Sequence, residues 1–238
     1  MRGCLSVLVL GLVFVLAVTW FAGPQLAGAV VERALAGSGF AGQATSVTVA
    51  ADPPLELLVG HVDRLDIRSR DARIRHLDAQ RVAITLSDVD LLTRRFGHVD
   101  GRLDGVTLRA GDGSTVQARS IRLLGPANDA TATVTIPGTA VETLARDEIR
   151  TQLGLTADDV RLVAPDLIRF NLAGIPAEGR FEVDETGALN IVANIVGEAR
   201  FRIVEAGDPL KLRSAVVDGS DVVLVGTLDV AAGLAGAG

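Results

Sequence analysis

The sequence predicts an α+β protein: a curved, mostly antiparallel β-sheet wrapped around two amphipathic helices, pseudo-duplicated, after an N-terminal transmembrane helix. Three observations carry that prediction: an uncharged apolar run at the N-terminus, two stretches of helical periodicity, and period-two alternation over most of the remainder. Helices bury residues at i, i+3 and i+4, whereas strands bury every second residue, so the two patterns separate along the chain.

Leu5 to Ala22 reads LSVLVLGLVFVLAVTWFA, eighteen residues without a charge. At about 1.5 Å per residue such a helix approaches the thickness of a bilayer's hydrocarbon core, and residues 1–23 are read as a transmembrane anchor. A signal peptide cleaved within residues 1–29 competes with this reading, because Ala27-Gly28-Ala29 has the small-x-small form and Arg2 is a minimal positive n-region. The run exceeds the roughly 7–15 residues usual for an h-region, which favours the anchor. Arg2, the one charge ahead of the run, orients the chain with its bulk outside. Cys4 precedes the run and reads as an ordinary residue at the membrane edge.

Residues 24–238 form one extracytoplasmic domain in this reading, with pseudo-halves at about 24–126 and 127–228. Gln25 to Ala36 carries Leu26, Ala29, Val30 and Ala34 at helical spacing, and Gly37-Ser38-Gly39 ends it. With Gly42 these glycines spell G-x-G-x-x-G, but the dinucleotide fingerprint needs a strand before it and a helix after it, so a C-cap and joint are expected. From Ala44 the period becomes two, and Asp52-Pro53-Pro54 interrupts it. Gly60-His61-Val62-Asp63-Arg64-Leu65-Asp66 then recurs 37 residues later as Gly97-His98-Val99-Asp100-Gly101-Arg102-Leu103-Asp104, which predicts two similar hairpins side by side. Asp112-Gly113 is the turn signal of the second. A strand at Ala132 to Ile136 leads through Pro137-Gly138 into the second helical stretch, with Val141, Leu144, Ala145 and Ile149 as its stripe and an end near Gly154. Alternation returns from Val160, with apolar residues at 168–172, 181–183, 189–195, 201–203, 210–212 and 223–225 separated by Gly-, Asp- and Pro-containing turns.

Composition excludes several classes. Of 23 basic residues only Arg2 precedes the apolar run, so the exported part carries 22 against 29 acidic, a net of −7. With no Tyr, seven Phe and a single Trp inside the anchor, stacking platforms are also scarce, and nucleic acid is not an expected partner. No cysteine follows Cys4 and there is no Asn-x-Ser/Thr sequon, which points to a disulfide-free domain in a bacterial envelope. The expected location is the bacterial cytoplasmic membrane, single-pass.

No catalytic constellation emerges, since the chain lacks Gly-x-Ser-x-Gly and His-Glu-x-x-His. His61 with Asp63, or His98 with Asp100, would share a strand face, but each pair supplies only two ligands, His76 stands apart, and neither a metal nor another cofactor is expected. A basic cluster runs from Arg64 to Arg81, in which Arg68, Arg70 and Arg73 are headgroup candidates because a guanidinium can grip a phosphate bidentately. Asp63, Asp66, Asp71 and Asp78 interleave with it. The aliphatic alternation offers a smooth lining of Leu65, Ile67, Val82, Ile84, Leu86, Leu108, Val141, Leu144, Ile168, Phe170, Leu172 and Ile191, suited either to acyl chains or to an ordinary dry core.

The run from Asp52-Pro53-Pro54-Leu55-Glu56-Leu57-Leu58-Val59-Gly60 to Ile67 resembles the Leu-Leu-x-Gly-x-x-x-x-Val-x-Val segment of the LmeA-type phospholipid-binding proteins, and Ala132 to Pro137 leading into a helix is similar to that family's middle. The resemblance would span about residues 25–228, with Asp52-Pro53-Pro54 in place of the family's Phe-Pro-Phe. It implies a non-enzymatic envelope protein that binds phospholipid or another acyl lipid at the membrane. The alternative expectation is a scaffolding protein with a dry core and a protein partner.

Overall fold

In the computed structural model, residues 40–74, 77–109, 115–194, 198–204, 210–230 and 232 are described. The apolar run at 5–22, the helical stretch 25–36, Gly37 and Gly39, His76, and Asp112-Gly113 lie outside them. Among the described residues no helix is long and apolar enough to cross a membrane.

Alternating β-branched and aliphatic residues make the long strands: β1 (Phe40–Ala50), β2 (His61–Ile74), β3 (Leu77–Asp90), β4 (His98–Arg109) and β5 (Thr115–Pro126). Each pairs antiparallel with the next, and the two Gly-His-Val-Asp echoes open β2 and β4, so the expected hairpins do lie side by side through the β3–β4 ladder. β1 begins at Phe40 rather than Ala44, because register shifts between Ala41 and Ser46 and a left-handed Ala44 (φ 47°) break its alternation. β6 (Ala130–Pro137) leads into helix α1 (Gly138–Leu153), which ends on the left-handed Gly154, whose N–H donates to Arg150 O at 2.9 Å. The short strands follow: β7 (Ala157–Val163), β8 (Leu167–Leu172), β9 (Ile175–Val183), β10 (Leu189–Asn194), β11 (Glu198–Val204), β12 (Leu210–Asp218) and β13 (Asp221–Leu228).

The described residues are thus mostly antiparallel sheet with few helices, and their strands divide between two sheets instead of forming one. An eight-stranded sheet has the order β1-β2-β3-β4-β5-β6-β13-β12, and a five-stranded meander has the order β11-β10-β9-β8-β7. The cause is α1: it intervenes after β6 and restarts the meander across the core, packing against β7 and β11 on one side and β6 and β13 on the other. The expected boundary at 126/127 falls inside the larger sheet, where β5 pairs with β6 and β13 returns beside it. Arg119 on β5 clasps Asp221 on β13 through two hydrogen bonds of 2.9 Å.

Two clusters form the interior. The larger draws on both sheets and α1, with Val141, Ala145, Ile149, Ile168, Ile191 and Phe201 buried. The smaller gathers Val49, Val62, Leu65, Ile67 and Val89 at one end of the eight-stranded sheet. Alternation breaks along one row of that sheet: β2 buries Leu65, Ile67 and Ser69 and then Ala72, and β4 buries Val99 and Leu103 and then Val106. Asp71 (φ 47°) and Gly105 (φ 59°) sit at the two breaks with Gln80 between them, and all three are skipped in the pairing. A Cβ on Gly105 would lie 2.5 Å from Gln80 Cδ, so only glycine lets that side chain cross the row. Irregular residues of this kind bend and twist a sheet.

Candidate functional site

The twelve residues expected to line an acyl groove do not form one surface. Val82, Val141, Ile168, Phe170, Leu172 and Ile191 are buried in the larger cluster, with Leu108 packed on it. Leu65 and Ile67 belong to the smaller cluster, where Leu86 joins them, and Ile84 touches both. Leu144 is half-buried and in neither, because the inward stripe of α1 runs through Gly138, Val141, Ala145 and Ile149. These side chains are occupied with each other. Pockets open elsewhere among the described residues: one of about 500 Å³ at the irregular row, between Gln43, Ala72, Arg73, Ala79 and Gln80, is as apolar as it is polar, and a more polar one of about 470 Å³ lies between Glu148, Asp184, Asn190 and Arg202.

The arginines expected at a headgroup are on the wrong side for that lining. Arg68 and Arg70 alternate with the buried Leu65, Ile67 and Ser69 on β2, so they project from the opposite face of the sheet. Arg73, past the break, is exposed and donates to Asp78 at 3.0 Å. Among the described residues Arg68 and Arg70 have no ion pair, while Arg64 grips Asp66 at 2.9 and 3.1 Å. That grip, with the Thr85 hydroxyl and the charges of Arg64 and Arg68, holds the Asp66 carboxyl below its ordinary range.

What the fold does build is an apolar tip at the end of the eight-stranded sheet. Pro54–Val59 forms a short 3-10 helix whose Leu57 packs into the smaller cluster while Leu58 and Val59 stand 64% and 68% exposed. The β3–β4 turn brings up Leu92, 77% exposed, and the two ends are joined by the Leu91 N–H donating to Gly60 O at 2.8 Å. Asp90 shapes that turn by accepting the N–H groups of Leu92 and Thr93 at 2.9 Å each. Those bonds, Thr93's first, and the nearby charge of His61 hold its carboxyl below the usual range. Arg94 and Arg95 follow, both exposed. Nothing in the alternation signalled the tip, since Leu55, Leu58 and Leu92 carry the same letters as core residues.

The tip also carries a cluster that spacing missed. His61 and Asp63 were expected to offer two ligands; the 3-10 helix adds Glu56, with His61 Nε2 3.7 Å from Glu56 Oε2 and 4.0 Å from Asp63 Oδ1. A turn ending in a glycine four residues after an acidic side chain and immediately before the histidine was the available signal.

No family model matches the chain, and no curated protein or solved structure matches it significantly.

Proposed function

We propose that the protein is a membrane-tethered, extracytoplasmic, non-catalytic protein that engages phospholipid through the apolar tip of its long sheet. The observation that carries this reading is the triad Leu58, Val59 and Leu92, aliphatic and exposed, beside Arg94 and Arg95. Contiguous exposed aliphatics mark interaction sites, and aliphatics next to arginines suit the boundary between acyl chains and anionic headgroups. Burying three side chains that are about two-thirds exposed is worth about 3–6 kcal/mol. β1 starts at the far end, Phe40 pairing with Ile74 and Ala50 with Arg64 near the tip, so about 36 Å of strand separates chain entry from tip. With 25–36 helical, residues 23–39 span up to about 35 Å, matching that distance, so a chain anchored through 5–22 can lay the tip on its own bilayer. In this reading the helical stretch 25–36 is the counterpart of α1 in a pseudo-duplicated fold, as the likeness to LmeA-type proteins implies.

The test is a fluorescent probe on Leu92→Cys in a Cys4→Ser background, with the full chain reconstituted in vesicles containing brominated lipid. Quenching at 92, and none at an Ile175→Cys control, exposed at the start of β9, is the expected result. A probe at 92 as water-exposed as the control would overturn the proposal.

The scaffolding alternative is favoured by a different observation: Ile168 and Ile191 are fully buried and packed, which leaves their surface no room for a lipid tail. Under it, native mass spectrometry of the detergent-extracted chain finds no bound lipid and the probe at 92 stays unquenched.

A further inference from the structure

We propose that Glu56, His61 and Asp63 form a divalent-cation site. One ligand atom from each lies within 4.8 Å of the other two, the one such group among the described residues. Atoms sharing an ion at about 2.0–2.2 Å stand about 3–4 Å apart, so small side-chain rotations close the set. The backbone holds it in place. The 3-10 helix ends on Gly60 (φ 81°), which turns the chain so that β2 brings His61 and Asp63 back beside Glu56. Asp63 Oδ2 accepts the Asp52 N–H at 2.6 Å, which fixes the carboxylate with Oδ1 toward His61. Such outer bonds orient metal ligands.

One imidazole nitrogen and two carboxylate oxygens suit Zn²⁺ or Mn²⁺, and three protein ligands leave positions open to water or to a phosphate oxygen. The chain supplies its own control: 37 residues on, His98 and Asp100 repeat the pair, but Thr93 stands where Glu56 does. That copy offers two ligands and is not a site. The inference stands independently of lipid binding, because the cluster is read from its own geometry.

The full chain, without a polyhistidine tag, is stripped with EDTA in detergent micelles and titrated with Zn²⁺ by calorimetry and with Mn²⁺ by electron paramagnetic resonance. One ion per chain is expected for at least one metal, with affinity falling at least 10-fold in Glu56→Gln, His61→Asn and Asp63→Asn and unchanged in His98→Asn. Glu56→Gln, on a surface helix, keeps the test decisive if a strand substitution unfolds. Absence of saturable binding by either metal, binding that survives Glu56→Gln unchanged, or an equal loss in His98→Asn overturns the proposal.

Discussion

Leu92 rests against Gly60, so close that a Cβ on residue 60 would lie 2.7 Å from Leu92 Cγ. That contact brings two internal segments, the 3-10 helix and the β3–β4 turn, together at the apolar tip. It also explains why this glycine is needed: Gly60 caps the 3-10 helix at φ 81° and has no space for a side chain.

Gly60→Ala should therefore lose about 1–2 kcal/mol from the left-handed backbone alone, measured by urea unfolding of the full chain in detergent. Its echo, Gly97, is not in the left-handed region, and a Cβ there would meet the Asp88 side chain at 3.0 Å. Gly97→Ala should cost less. Equal losses would show that backbone conformation is not what the glycine at 60 supplies.

Ile168 and Ile191 are each 0% exposed and face one another's neighbourhood across Gly179, whose Cβ would lie 2.6 Å from Ile191 and 3.2 Å from Ile168. Truncating either to alanine should cost about 2–5 kcal/mol, as in a packed core, whereas the half-buried Leu144→Ala should cost less than about 1 kcal/mol. Thermal or urea unfolding checks this. A near-neutral Ile168→Ala, with a change in co-purified lipid, would instead mean that these residues line a groove.

Much of this architecture was legible in the letters. Period-two alternation located every short strand from β8 onward, and Val141, Ala145 and Ile149 located α1, because burial on one face is a local property. The same alternation already placed Arg68 and Arg70 opposite Leu65 and Ile67, so a tail and a headgroup could not meet there through the sheet. What was not legible was partnership. Whether β6 joins β5 or β7, and whether Glu56 reaches His61, depends on long-range closure that no window of sequence contains. Leu92 looked like any core leucine because hydropathy records a residue's chemistry and not its place at a turn.

Asp184 organises the β9–β10 turn. Its carboxylate accepts the Thr186 hydroxyl at 2.5 Å, the N–H groups of Ala188 and Thr186 at 3.1 and 2.9 Å, and the Asn190 amide at 3.1 Å. These bonds, the Thr186 hydroxyl first, lower its pKa to about 2. Because the folded value lies below the ordinary 3.8, the stabilisation is present above about pH 4 and is lost as pH falls toward 2. Asp184→Asn should flatten that part of the stability profile. An unchanged acid limb in the variant would place the loss at other carboxylates.

Arg94 and Arg95 stand at the apolar tip, whereas Arg68 and Arg70 lie farther along β2, toward the end where β1 begins. A basic residue at an anionic membrane surface is worth about 1 kcal/mol, so replacing Arg94 and Arg95 by Gln should shift the tip's insertion equilibrium by about 30-fold. The quenching of the probe at residue 92 reports it. Since the Debye length shortens from about 30 Å at 0.01 M to about 10 Å at 0.1 M salt, the difference between variant and wild type should shrink over that range. Arg68→Gln with Arg70→Gln should leave quenching unchanged, because those side chains face away from the apolar surface. If the second pair mattered and the first did not, the sheet's charged face, and not its tip, would be the surface that meets lipid.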